Sequence, residues 1–513
     1  VRVARALEDP VVLLGAVAAA MACAVVLFGG RYLPYVDWSN HVGLIAVLAH
    51  GDTTGASAYF ERSLAPTPYL AFYAVSAVLA QLVAVDVAAK LALVLSAPLW
   101  VLGAARLAVV TGRSPRLAVI ASLGLYGVSL GYGFASFVFT SPLVLFALAG
   151  AERLVDAIER ERPLAGPAAE VALTTSLTFL GHALAFVFLV VLVVVRVCVL
   201  GLARAPRHGL VRGALRPVAV FALATAPVVL LAAPSVASFA RGGWTEVGVE
   251  QGAWSFEPFG ARWAALAGHL LERGSAHHVS VMLGVLVWWA LAQITSPLGP
   301  RPRGRGLELY ALTACLVWAF GPMGTPSVWF VYPRFATLAA VLVLLLPRAA
   351  PLGGRAAALA AAALALIAAN ATLNRAHVAR MTAWAAPYDQ IRAAIPPHQR
   401  VLPLSSDDGG LEHPALTGLH FYLMGDGARY VPFLFDNPGV PVHLRREAER
   451  PPAPFWREVA RADVAALAPH YDYLVLRGAH LVGQAARLAT LEEVTRARGW
   501  VVFRQRRAAE PAR

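Results

Sequence analysis

Between residues 10 and 373 the chain repeats one pattern. An apolar stretch close to the ~20 residues a helix needs to cross a hydrocarbon layer is followed by a short break rich in Arg or in Gly and Pro. The stretches fall at 10–30, 68–85, 88–110, 117–131, 134–150, 168–181, 183–201, 217–233, 279–296, 307–320, 334–347 and 356–373. A chain built this way has to satisfy its backbone in helices inside a bilayer. Composition agrees: hydrophobic residues make up 58% and charged ones 14%, against roughly 25% charged in soluble domains. The fold class that follows is a mainly α, polytopic membrane protein with about 10–13 transmembrane helices, the first of them an uncleaved span.

The formal net charge is +13. Its arginines are scattered through short loops rather than gathered on one face, which argues against a nucleic-acid partner and for the positive-inside rule. The breaks "TGRSPR" (111–116), "ERLVDAIERERP" (152–163), "LARAPRHGLVRGALRP" (202–217), "PLGPRPRGRG" (297–306) and "PRAAPLGGR" (347–355) are accordingly expected on the cytoplasmic side. Outer loops then fall at 31–67, 234–278 and 321–333. Upstream the parity conflicts. With 31–67 outside, two full crossings between 68 and 110 would leave "TGRSPR" outside too, so that region holds either one segment that does not cross or three that do. Cys23, Cys198 and Cys315 all lie in apolar stretches with no zinc or disulfide spacing.

From residue 374 the pattern changes. Strand-like runs "RVLPLS" (400–405), "YDYLVLRG" (471–478) and "WVVFRQ" (500–505) sit among helical patterns such as "PYDQIRAAI" and "ATLEEVTRARG". The domain reading is a transmembrane unit over 1–373 and a small extracytoplasmic α/β domain over 374–513. Its Asp407, Asp408, His413, His420 and Asp426 show no metal-ligand spacing.

The stretch "PYVDWSNH" follows the first membrane exit. Asp37 has the residue type of a helix cap, and Trp38, Asn40, His41, Leu44, Ile45 and Leu48 follow at amphipathic spacing, which predicts an interfacial helix. Asp37 and His41, four apart, share a face. The competing reading has Asp37 as a cap and His41 on the helix's solvated side. A second polar candidate is His182 in "TFLGHALAF", because ionisable residues inside apolar stretches are costly. "GYGFASF" (131–137) reads as a broken outer turn whose glycines permit close approach.

This layout resembles the GT-C superfamily of membrane glycosyltransferases, to which protein O-mannosyltransferases and lipid A aminoarabinose transferases belong: a first span, a long outer loop with an early acid, many further spans, then a soluble outer domain. The resemblance implies a GT-C-like arrangement in a bacterial cytoplasmic (inner) membrane. It also implies sugar transfer from a polyprenyl-phosphate-linked donor to an envelope acceptor, which is a lipid, a glycan or a protein. It puts the role of general base on Asp37, with His41 beside it, and that of donor-phosphate ligand on Arg334 in "FVYPRFATL". His182, Trp244 and Trp254 are substrate-binding candidates, the tryptophans because their rings stack on sugars as well as anchoring at interfaces. The paired acid of some branches is missing, Asp37 being followed by Trp38. No cofactor is expected, and a divalent metal is not indicated.

One base suits an inverting single displacement, in which the acceptor hydroxyl loses its proton as it attacks the anomeric carbon and a cation stabilises the departing phosphate. Two other classes compete. A transporter or flippase predicts inverted repeats with ionisable residues in matching broken helices, which the sequence does not show. A non-catalytic envelope scaffold predicts that Asp37 is replaceable.

Overall fold

A computed structural model describes residues 8–240, 254–271, 276–295, 305–325, 328–347, 354–406, 414–435, 439–446, 450–455 and 458–506. The membrane part contains α1 (Pro10–Leu27), α2 (Trp38–Thr54), α3 (Leu70–Leu79), α4 (Val85–Val110), α5 (Ala135–Glu159), α6 (Ala165–Gly181), α7 (Ala183–Gly209), α8 (Arg216–Ala240), α9 (Phe259–Leu271), α10 (Ala276–Thr295), α11 (Gly306–Phe320), α12 (Val331–Leu344) and α13 (Gly354–Ala385). Among the described residues 6 stretches are long and apolar enough to cross a membrane, and the longest, Ala183–Ala237, holds both α7 and α8. Leu14, Met21, Val194, Leu230, Leu286 and Ile294 stand exposed on α1, α7, α8 and α10. So much outward apolar surface belongs against lipid, not water. The protein is a membrane protein.

Two expected spans take other forms. The stretch at 68–85 yields only α3, 10 residues long; at 1.5 Å per residue it reaches about 15 Å, half the hydrocarbon thickness. The stretch at 117–131 is not an α-helix at first but a 3₁₀ coil over Pro115–Tyr126, followed by one short helix, Val128–Tyr132. Small residues let this coil sit in the middle of the bundle, touching α1, α4, α12 and α13. A Cβ on its Gly124 would fall 2.7 Å from the Trp100 ring.

Past the membrane part, α14 (Tyr388–Ala393), β4 (Val401–Ser405), β6 (Tyr473–Arg477), α15 (Ala479–Ala486), β7 (Leu491–Ala497) and β8 (Trp500–Gln505) build an α/β unit. Its sheet has the order β4-β6-β8-β7, with β4 and β6 parallel and β8 antiparallel to both neighbours. The helical expectation for "ATLEEVTRARG" is corrected: most of it is edge strand β7. Four of its seven residues are exposed and its register shifts between Glu493 and Thr495, so the apolar alternation that marks a strand is missing.

This unit is joined to loop 31–67. β1 (Phe60–Arg62) pairs antiparallel with β5 (Val442–Leu444). The Tyr32 hydroxyl donates to Asp389 at 2.5 Å and accepts from Arg392 Nη1 at 3.2 Å. Loop 31–67 and the C-terminal unit therefore lie on one side of the membrane.

Candidate active site

The sequence around Asp37 folds into the N-terminus of α2, but Asp37 does not cap it. Its backbone is in the right-handed helical region (φ −89°, ψ −2°), and its side chain makes no capping hydrogen bond. The residue is held by its main chain instead: its amide donates to the Tyr132 carbonyl at 2.9 Å, and its carbonyl accepts from the His41 amide at 3.2 Å. Tyr132 ends the short helix that leads into the "GYGFASF" turn, where Gly133 takes φ +86° and lies directly against the Asp37 and Trp38 nitrogens. Glycine is needed there twice over, for the positive φ and for the contact.

The one-sided burial expected for this helix is corrected. Residues 38–47 of α2 are buried all round, His41 at 5% exposure among them. The apolar face meets α3 and α4, while the face expected to be solvated is covered by the C-terminal unit. His41 therefore has no solvated side. Its Nδ1 lies 2.6 Å from the Tyr73 hydroxyl, its ring also hydrogen-bonds the Gly133 carbonyl, and Phe72 and Phe435 pack edge-on at 5.7 and 6.0 Å. With Nδ1 engaged by Tyr73, the bond to the Gly133 carbonyl falls to the other ring nitrogen, which fits a neutral imidazole. Burial lowers the His41 pKa to about 4.

His182 forms the break between α6 and α7. Its backbone is extended, and its Nδ1 accepts from the Leu184 amide at 3.1 Å, so this histidine caps α7. Tyr69 and Phe137 flank its ring at 4.7 and 5.1 Å. Arg334, on the first turn of α12, is buried. Its Nε and Nη2 donate to the Phe330 and Trp329 carbonyls at 2.9 and 3.1 Å, and its guanidinium lies 3.6 Å over the Phe134 ring. Phe134 is the residue after Gly133, so the turn that abuts Asp37 also carries the platform for Arg334.

Electrostatic coupling ties the group together. His182 feels the charge of Arg334 and lies within electrostatic reach of His41, while Tyr73 and Tyr132 feel the charge of Asp37. Asp37, His41, His182 and Arg334, separated by up to 297 positions in sequence, thus converge on the 131–137 turn. Trp254 stands apart, 61% exposed, beside the β-bridge of Ser255 to Gly324. Trp244, like Asp407, Asp408 and His413, lies outside the described residues. Asp52 and Glu61, the next acids of the loop, pair with Arg62 and Arg445. Among the described residues no three His, Cys, Asp or Glu side chains are grouped as a metal site. Sequence reading passed over Tyr73, which looks like an ordinary aromatic member of an apolar stretch, and it marked the 131–137 turn for its glycines without giving a role to Tyr132 or Phe134.

An α-helical membrane bundle thus carries Asp37 on a helix that is covered by a C-terminal α/β unit. Two solved structures share this fold over nearly their whole length. ArnT from Cupriavidus metallidurans in the apo state matches with a TM-score of 0.58 and 14% sequence identity, over 95% of this chain and 97% of that one. ArnT from Cupriavidus metallidurans bound to undecaprenyl phosphate matches with a TM-score of 0.57 and 15% identity, over 96% and 97%. The fold is ArnT-like. No protein-family model matches the chain, and no curated protein matches it in sequence.

Proposed function

We propose that this protein is an integral-membrane glycosyltransferase that moves a sugar from a polyprenyl-phosphate-linked donor to an acceptor on the outer side of the cytoplasmic membrane. The observation that carries the reading is the shared 131–137 turn, which brings an acid that is not spent on capping its helix to the same place as a buried guanidinium. The ArnT-like fold, one example of which has undecaprenyl phosphate bound, supports the donor class.

The orientation follows from α3. As a non-crossing segment it leaves 31–84 outside and lets α4 return the chain inward. The 3₁₀ coil, α5, α6, α7, α8, α10, α11, α12 and α13 then alternate, which puts the basic breaks 111–116, 152–163 and 202–217 inside and the C-terminal unit outside with loop 31–67. Asp37 takes the proton of the acceptor hydroxyl as its oxygen attacks the anomeric carbon; the bond from that carbon to the donor's phosphate oxygen breaks, and the polyprenyl phosphate leaves with the electron pair. Arg334, pre-oriented by two carbonyls and an aromatic face, stabilises the developing phosphate charge. His41 acts through position: buried, neutral and bonded on both sides, it ties α2 to α3 and to the glycine turn. His182 sets the start of α7 next to Arg334.

The test is transfer of radiolabelled sugar from polyprenyl-phosphate donors into envelope material by reconstituted wild type and Asp37→Asn. Loss of about 100-fold or more in the variant is the expected result, the usual size of a general-base contribution. Equal rates would remove Asp37 from the reaction, and a folded wild type silent with every donor would shift the reading to a transporter or scaffold.

A further inference from the structure

The residue between the proposed base and its histidine has a partner of its own. Asn40 is buried at 4% exposure, and both halves of its amide are used by one segment of the C-terminal unit. Its Nδ2 donates to the Phe433 carbonyl at 3.3 Å, and its Oδ1 accepts from the Phe435 amide at 3.0 Å. A single side chain thus straddles Leu434. That leucine is buried against α2 at Gly43, where a Cβ would come within 2.6 Å of Leu434 Cδ2. Phe433 holds φ +74°, a region a bulky residue enters only when its surroundings impose it. One turn earlier, a Cβ on Gly418 would fall 2.6 Å from Ser39 Oγ. These close contacts all lie on the face of α2 turned from the membrane bundle, and the segment ends with the Phe435 ring on His41.

We infer that Asn40 is a positioning residue through which the C-terminal unit, by way of the Phe433–Phe435 segment, fixes the first turn of α2 and seals His41. This rests on the functional reading above and gives the C-terminal unit a task in it. The segment closes one side of the His41 ring; the other sides are Tyr73 on α3, the Gly133 carbonyl and Phe72, with His182 within electrostatic reach. Loosening the segment admits water to that one open side. The imidazole then protonates more readily, and the charge it gains lies one turn from Asp37.

The experiment uses the full-length protein in nanodiscs and compares wild type with Asn40→Leu, which keeps the branched shape and loses both bonds, and with Phe435→Ala, which opens the seal but leaves the amide bonds in place. Hydrogen exchange at residues 433–435, which needs no substrate, is expected to accelerate about ten-fold or more in Asn40→Leu, since local opening sets that rate. In transfer assays kcat should fall about ten-fold with the donor KM within two-fold, as for a group that acts on the transition state alone. The acidic limb of the pH–rate profile should move upward in both variants, a change a purely structural tie would not cause. Unaltered exchange in Asn40→Leu overturns the tie, and altered exchange with unaltered kcat and pH limb overturns the positioning role. Should Asn40→Leu fail to fold, Phe435→Ala still decides through the pH limb. A wild type that transfers nothing brings down the functional reading and this role together, and the exchange contrast then shows separately whether the tie exists.

Discussion

Gly133 and Asp37 meet backbone to backbone: a Cβ on Gly133 would lie 2.9 Å from the Asp37 nitrogen and 2.7 Å from that of Trp38. Nothing flexible stands between them, so the proposed base is placed by the main chain of another segment. Gly133→Ala forces either the 131–137 turn or the start of α2 to move, and its φ of +86° adds strain. The expected cost is about 1–3 kcal/mol of stability, as for overpacking in a tight core. Transfer should fall by more than the loss of folded protein accounts for. A thermal melt and a rate per folded molecule measure the two, and an unaffected rate would show that Asp37 does not depend on this contact.

Burial of His41 makes stability depend on pH. Its folded pKa is about 4, against 6.5 for the free side chain. Between those values the unfolded chain binds the proton more readily, so stability is full above about pH 6.5 and is lost as pH falls toward 4, by up to about 3 kcal/mol. Melting temperatures at pH 7 and pH 4.5 should therefore differ more for wild type than for His41→Phe, which has no proton to gain there. Equal differences in the two proteins would mean that His41 is already solvated.

Much of this was legible beforehand because the bilayer leaves few choices. Apolar length located α1, α4 and α5, and strand-like runs bounded by turns located β4, β6 and β8. His182 stood out as an ionisable residue in an apolar stretch, Asp37 and His41 by their spacing after the first membrane exit, and Arg334 through the resemblance. Tyr73 and Phe134 did not, because an aromatic in an apolar stretch has the same pattern whether it faces lipid or a site. The burial of α2 was also hidden: its covering strand and helices come from beyond residue 400, and no local period records a contact across that distance. The same holds for the 3₁₀ coil, whose apolar run suits a span and whose tighter winding comes from the four helices around it.

Arg334 and Phe134 give a test that separates charge from shape. A guanidinium 3.6 Å over a ring is held flat against it. Arg334→Lys keeps the charge and loses the plane, so kcat/KM for the donor should fall about ten-fold or more. Phe134→Leu should weaken the donor in the same direction by a smaller factor, since it removes only the platform. Steady-state kinetics at varied donor concentration measures both. If lysine serves as well as arginine, the site is reading charge alone and the stacked geometry has no part in donor recognition.

Within the bundle a second charged group serves the fold. Arg196 on α7 donates to Glu152 on α5 through Nε at 2.7 Å and Nη2 at 3.2 Å, with both side chains under 10% exposed. The pair is possible because α11 begins with glycine: a Cβ on Gly306 would come within 2.4 Å of the Glu152 carboxylate. Three helices are thereby keyed to one ion pair. Removing a single partner leaves a buried charge uncompensated, so Glu152→Gln or Arg196→Met should each cost about 3–5 kcal/mol, whereas the double variant should recover much of it. Gly306→Ala should disturb the same pair from the third helix without removing either charge. Melting temperatures of the four variants in one detergent settle the point: additive losses in the double variant would mean that the two side chains are solvated and not paired, and that α5, α7 and α11 are held by packing alone.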